Sequence, residues 1–230
     1  MTMIVRNLQS VRDRITTACF AAGRKPSDVR LLAVSKTFGA DAVLDAMSDG
    51  QRAFGENYIA EGVEKITALR LHAGLQWHCI GPIQSNKTRL VAEHFDWVQS
   101  VDRLKIAQRL SEQRPAHLPP LQICLQVNLD NGPNKSGVAP EELMVLIEQV
   151  IQLPNLKLRG LMTLPEPAIN FVAECALHSR AKDLFDQINN RGVLTEPMDT
   201  LSMGMTADLE AAIHSGSTMV RVGTAIFGAR

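Results

Sequence analysis

Eight short apolar runs, separated by longer stretches with helical periodicity, constrain this chain more than any other feature. The runs are RLLAVS (30–35), RAFGE (52–56), LQWHCIG (75–81), WVQSV (97–101), LQICLQVNL (121–129), LKLRGLM (156–162), MDTLSM (198–203) and MVRVG (219–223). Each is of strand length and nearly continuous in its hydrophobicity, as parallel strands covered on both faces must be. Helical patterns fill the intervals at 41–48, 58–71, 86–94, 103–113, 140–153, 171–190 and 207–214, and each interval is long enough for a right-handed crossover. Ile4, Leu8, Val11 and Ile15 add an amphipathic opening helix that ends near Gly23. Eight strands with seven intervening helices predict an α/β fold, a single (β/α)8 TIM barrel with an additional N-terminal helix, spanning 1–230 as one domain. An open doubly wound sheet is the competitor, but it does not usually need eight parallel strands.

Composition narrows the function classes. Hydrophobic residues make up 45% and charged residues 21% of the 230, the usual globular mix, so a large core can form. Lys+Arg 24 balances Asp+Glu 24, leaving no basic field for nucleic acid or anionic lipid. Cys19, Cys79, Cys124 and Cys175 lie far apart without metal-ligand spacing, as in a reduced, metal-free protein. Arg6, Arg12, Asp13 and Arg14 interrupt the first segment before an apolar run reaches signal or membrane-spanning length. A cytoplasmic protein without a membrane anchor is expected.

Chemistry is expected on the C-terminal rim, where barrels of this kind place their ligand sites. Lys36 stands at the end of the first strand, in LLAVSKT. A lysine there can point into the mouth, where desolvation leaves a neutral amine able to attack an aldehyde or ketone. The alternative is a strand-end lysine that snorkels to solvent. Ser202 and Gly204 end the seventh strand, and Gly223 and Thr224 end the eighth. Backbone N–H groups of such small residues can close around a phosphate, although glycine also simply closes tight turns. Closing the barrel makes strand eight the neighbour of strand one. An amine beside a phosphate cup suggests pyridoxal phosphate.

LLAVSK, FGENY, WHCIGPIQSNK, KSG, LRGLM, LSMGM and MVRVGTAIFG occur in this order along essentially the whole chain. Together they resemble the pyridoxal-phosphate homeostasis protein family, whose barrel is similar to the N-terminal domain of alanine racemase. The resemblance implies that Lys36 forms the internal aldimine with pyridoxal 5'-phosphate. It makes Ser202, Gly223 and Thr224 the phosphate ligands, turns Arg221 toward the pyridine nitrogen, sets Asn57 beside the cofactor and lines the cup with Met203 and Gly204. Cys79 and Ile83 stand where many relatives carry other apolar residues, and neither is an implied ligand.

The implied function is binding of the cofactor for intracellular homeostasis, with PLP-requiring apoenzymes as partners and without efficient catalysis. The alternative is a PLP-dependent amino-acid racemase or related enzyme. An arginine at the pyridine nitrogen leaves the ring a weaker electron sink, but alanine racemases use one there too. Racemisation also needs an acid/base group on each face of the substrate carbon. Tyr58 is the chain's one tyrosine and reads as a packing or capping residue; His78 is the best other base, expected as a hydrogen-bonded rim histidine. The racemase partner tyrosine acts across a dimer completed by a β domain, for which no residues follow Arg230, so a monomer is expected. A cofactor-free Schiff-base aldolase usually has its lysine on strand six, where this chain has Arg159. Lys87 and Lys135 are rim-loop cations that either guide an anion or are ordinary solvated charges.

Overall fold

A computed structural model of the chain describes residues 2–130 and 136–228. The opening helix α1 (Met3–Ala21) starts at Thr2, whose hydroxyl accepts the Val5 N–H. Strand β1 (Arg30–Val34) is followed by α2 (Ala40–Ser48), β2 (Ala53–Glu56), α3 (Ile59–Ala68), β3 (Gln76–Cys79), α4 (Thr88–His94) and β4 (Trp97–Val101). Next come α5 (Leu104–Gln113), β5 (Leu121–Val127), α6 (Pro140–Val150), β6 (Leu156–Thr163) and α7 (Phe171–Asn190). The series ends with β7 (Thr200–Ser202), α8 (Leu209–His214), β8 (Met219–Val222) and the short α9 (Thr224–Phe227).

All eight strands pair in parallel, in chain order, and β8 returns to β1 to close the barrel. This is the (β/α)8 TIM barrel with an additional N-terminal helix that the run pattern predicts. Strand alternation divides the buried residues into two sets. Val98, Ile123, Leu125, Leu161, Leu201, Val220 and Val222 join the large core beneath the helices. Trp97, Cys124 and Met162 form a separate cluster in the lumen.

Among the described residues, four residues of helix follow β8, too few to cover its outer face. Helix α1 supplies the cover, packing against α8, α9 and α2. It buries Leu8, Val11, Ile15, Ala18 and Cys19. Polar ties fix its register: Asn7 Nδ2 donates to the Ile226 carbonyl at 3.0 Å, and Arg14 forks onto Glu210 at 2.8 and 2.9 Å. The first helix thus completes the ring at the seam where the barrel closes.

Candidate functional site at the barrel mouth

The seam between β1 and β8 builds the site. Leu32 pairs with Arg221 and Ala33 with Val222, and the Ser35 N–H extends the ladder to the Gly55 carbonyl at 3.1 Å. Lys36 follows one residue later and is half-buried. On the other side of the seam, a Cβ on Gly223 would stand 3.2 Å from the Val34 carbonyl oxygen. A side chain at 223 would fit only if the neighbouring strand end gave by a few tenths of an ångström. Thr224 then opens α9, with its hydroxyl 3.3 Å from that of Thr206 in the β7–α8 loop.

Gly204 is the second residue of that loop, with φ 92, and a Cβ there would lie 2.4 Å from the Ala212 Cβ. Only glycine meets both demands. The Gly204 carbonyl accepts the Arg221 N–H at 3.0 Å. Asp208 fastens the far side, accepting the Met205 N–H at 2.7 Å and pairing with His178 Nε2 at 2.9 Å. Burial opposes ionisation of Asp208, but the hydrogen bonds from His178 and Met205 outweigh it and hold its carboxyl below the usual range.

Beneath the mouth a hydrogen-bonded chain crosses the lumen. His78 Nδ1 meets Gln99 Nε2 at 3.0 Å, Ser202 Oγ donates to Gln99 Oε1 at 2.6 Å, and Arg221 Nη1 donates to Ser202 Oγ at 2.7 Å. Arg221 Nη2 donates to the Thr163 carbonyl at 2.8 Å. Among the described residues no carboxylate pairs with Arg221, and burial pushes its guanidinium down to about 10, with Asp208 and Cys124 opposing. It remains a cation at neutral pH. The Thr163 hydroxyl is buried without a partner among the described residues.

The placement of the expected residues is therefore mixed. Lys36, Gly204, Gly223 and Thr224 gather at the mouth, and Asn57 follows β2 on the same rim, half-buried, its carbonyl where a Gly81 side chain would be. Met203 is fully buried beneath the rim. Ser202 is also fully buried, and its hydroxyl supports Arg221 and Gln99 inside the lumen. His78 is not a rim residue: it is 1% exposed and stacks on Trp97 at 5.0 Å. Tyr58 caps α3 and is exposed. Lys87 is exposed between β3 and α4, and Lys135 lies outside the described residues.

A second polar cluster, which no sequence motif singled out, is centred on Lys65. Lys65 Nζ donates to Glu56 Oε1, Glu61 Oε1 and the Ser35 carbonyl at 2.8, 2.7 and 2.7 Å. The Ser35 hydroxyl also donates to Glu56 Oε1 at 2.6 Å. Burial raises the Glu56 carboxyl, against the pull of Lys65 and Ser35. One signal was present: Glu56 ends an otherwise apolar strand, and Glu61 precedes Lys65 by four residues on a helix.

This closed barrel, with a strand-end lysine beside a small-residue rim and a buried arginine, is of the alanine-racemase class. The family model described as "Alanine racemase, N-terminal domain" matches residues 6–230. The "Pyridoxal phosphate homeostasis protein" of Pseudomonas aeruginosa is 57% identical, covering 100% of this chain and 97% of its own. The protein so described in Escherichia coli strain K12 is 50% identical, covering 100% and 98%. PipY of Synechococcus elongatus PCC7942, solved with PLP bound, superposes with a TM-score of 0.85 at 34% identity, covering 98% of this chain and 100% of that one. Alanine racemase of Clostridium difficile 630 shares the fold, with a TM-score of 0.71 at 19% identity over 57% of its own length. The chain belongs to the pyridoxal phosphate homeostasis protein family, within the alanine racemase N-terminal-domain class.

Proposed function

We propose that this protein holds pyridoxal 5'-phosphate through Lys36 and takes part in intracellular homeostasis of that cofactor, without efficient catalysis of its own. The observation that carries this reading is the β1–β8 seam, which brings the Lys36 turn against the Gly223–Thr224 rim with Arg221 buried beneath. When bound, pyridoxal phosphate supplies an aldehyde that condenses with an amine, a phosphate dianion and a ring nitrogen. The residues present fit each part. Lys36 offers the amine; Gly204, Gly223 and Thr224 form a rim of backbone and hydroxyl donors; Arg221 is a cation that no carboxylate among the described residues pairs with. The bound PLP of PipY, at 34% identity over nearly the whole chain, supports the same assignment.

In this assignment Ser202 acts mainly through Arg221, whose guanidinium it orients, and Asn57 and Met203 shape the walls. A guanidinium is a permanent donor, so Arg221 keeps the ring nitrogen unprotonated and withholds the electron sink that carbanion chemistry uses. Tyr58 faces solvent, and His78 is a buried neutral base with its pKa lowered to about 3 by burial. Neither supplies the second acid/base group of a racemase. Transfer of the held cofactor to PLP-requiring apoenzymes, by a cytoplasmic monomer, completes the reading.

Titration with pyridoxal phosphate tests it. The wild-type protein should develop the absorption band of an amine-bound cofactor, and Lys36→Ala should lose it. No band in the wild type, or an equal band in the variant, would overturn the reading. Fast deuterium exchange at the α-carbon of an amino acid, abolished by Lys36→Ala, would make the protein a racemase instead.

A further inference from the structure

The cluster around Lys65 touches the backbone on both sides of Lys36. Before it, the Ser35 carbonyl accepts from Lys65 Nζ at 2.7 Å. After it, the Thr37 N–H donates to Glu61 Oε1 at 2.5 Å. Lys65 joins these two ties, because the same ammonium binds Glu61 and Glu56. Thr37 between them has φ 68, a left-handed conformation that a β-branched residue adopts only when its surroundings enforce it.

Glu56 is 0% and Lys65 5% exposed, and charges are expensive to bury unless they are paired. Here the cation reaches in from α3, and its third bond goes to the carbonyl that immediately precedes Lys36. Glu61 sits one turn earlier on the same helix and takes the amide that immediately follows it. Two side chains of one helix therefore grip one turn of another segment.

We infer that Lys65 and Glu61 are positioning residues, a clamp from α3 that fixes the backbone on both sides of Lys36 and so sets its amine for capture and retention of the cofactor. The inference rests on the proposed role of Lys36. Glu61 is the residue to vary, because its side chain is 28% exposed and its removal leaves Lys65 paired with Glu56. Three measurements are needed on the full-length protein: the thermal midpoint, amide hydrogen exchange at Thr37 without cofactor, and decay of the bound-cofactor absorbance after dilution.

Glu61→Ala should keep a cooperative melt, lose protection at Thr37 and release pyridoxal phosphate roughly tenfold faster, the equivalent of one lost hydrogen bond to a charged acceptor. Glu61→Gln keeps an oxygen that can accept the Thr37 N–H, so it should restore both protection and retention. A general loss of stability would instead impair the two variants alike and spread the exchange beyond residues 35–38. Wild-type release by Glu61→Ala, or equal impairment of Ala and Gln, would overturn the clamp. Absence of any wild-type absorption band would overturn the cofactor reading itself, and the clamp's role in retention with it.

Discussion

The lumen holds a histidine that stays neutral at pH 7 and an arginine that stays charged, and burial governs both. His78 is stacked on Trp97 and has an unpartnered Nε2. Burial, aided by the charge of Arg30, lowers its pKa from 6.5 to about 3. Between those values the unfolded chain binds a proton that the folded protein refuses, so stability falls as pH drops from 6.5 toward 3. His78→Phe keeps the stacking and removes the titration. Urea denaturation should show the variant losing less stability than wild type between pH 7 and pH 4, by about 3 kcal/mol. Parallel pH profiles would contradict it. Nothing in WHCIG announced this burial, because a histidine near a strand end reads equally as rim or lumen until the side it faces is known.

Elements were more legible than their side-chain partners. The run WVQSV is β4 residue for residue, and 171–190 is α7, because apolar periodicity and the Asn170 cap act locally. Helix 58–71 shortens to Ile59–Ala68 and 207–214 to Leu209–His214; tight loops claim the ends. The opening helix was visible as amphipathic, but its place in the ring depends on the shortness of α9. Leu8, fully buried at that seam, makes the dependence measurable: Leu8→Ala should cost about 2–5 kcal/mol in chemical denaturation. Gly204→Ala should cost about 2–4 kcal/mol, since positive φ and the Ala212 contact both oppose a side chain. Its damage should centre on the β7–α8 loop in hydrogen exchange. A near-neutral effect of either change would contradict the packing described for α1 or for the rim.

At the scale of the whole molecule, closure of the sheet makes residues distant in sequence into one site. The strand that leads into Lys36 and the strand that carries Arg221 are neighbours because β8 pairs with β1, a consequence the strand count already contained. The chain of His78, Gln99, Ser202 and Arg221 was not legible, since its members come from four strands and each reads alone as a polar interruption. The same holds for the clamp, where only Glu56 and the Glu61–Lys65 spacing left a trace in the sequence. We propose that this closed seam makes Lys36 the residue that holds pyridoxal phosphate. Borohydride reduction of the protein with one equivalent of cofactor, followed by peptide mapping, tests it most directly. The label is predicted on Lys36; a label on other lysines, or none, would contradict that role.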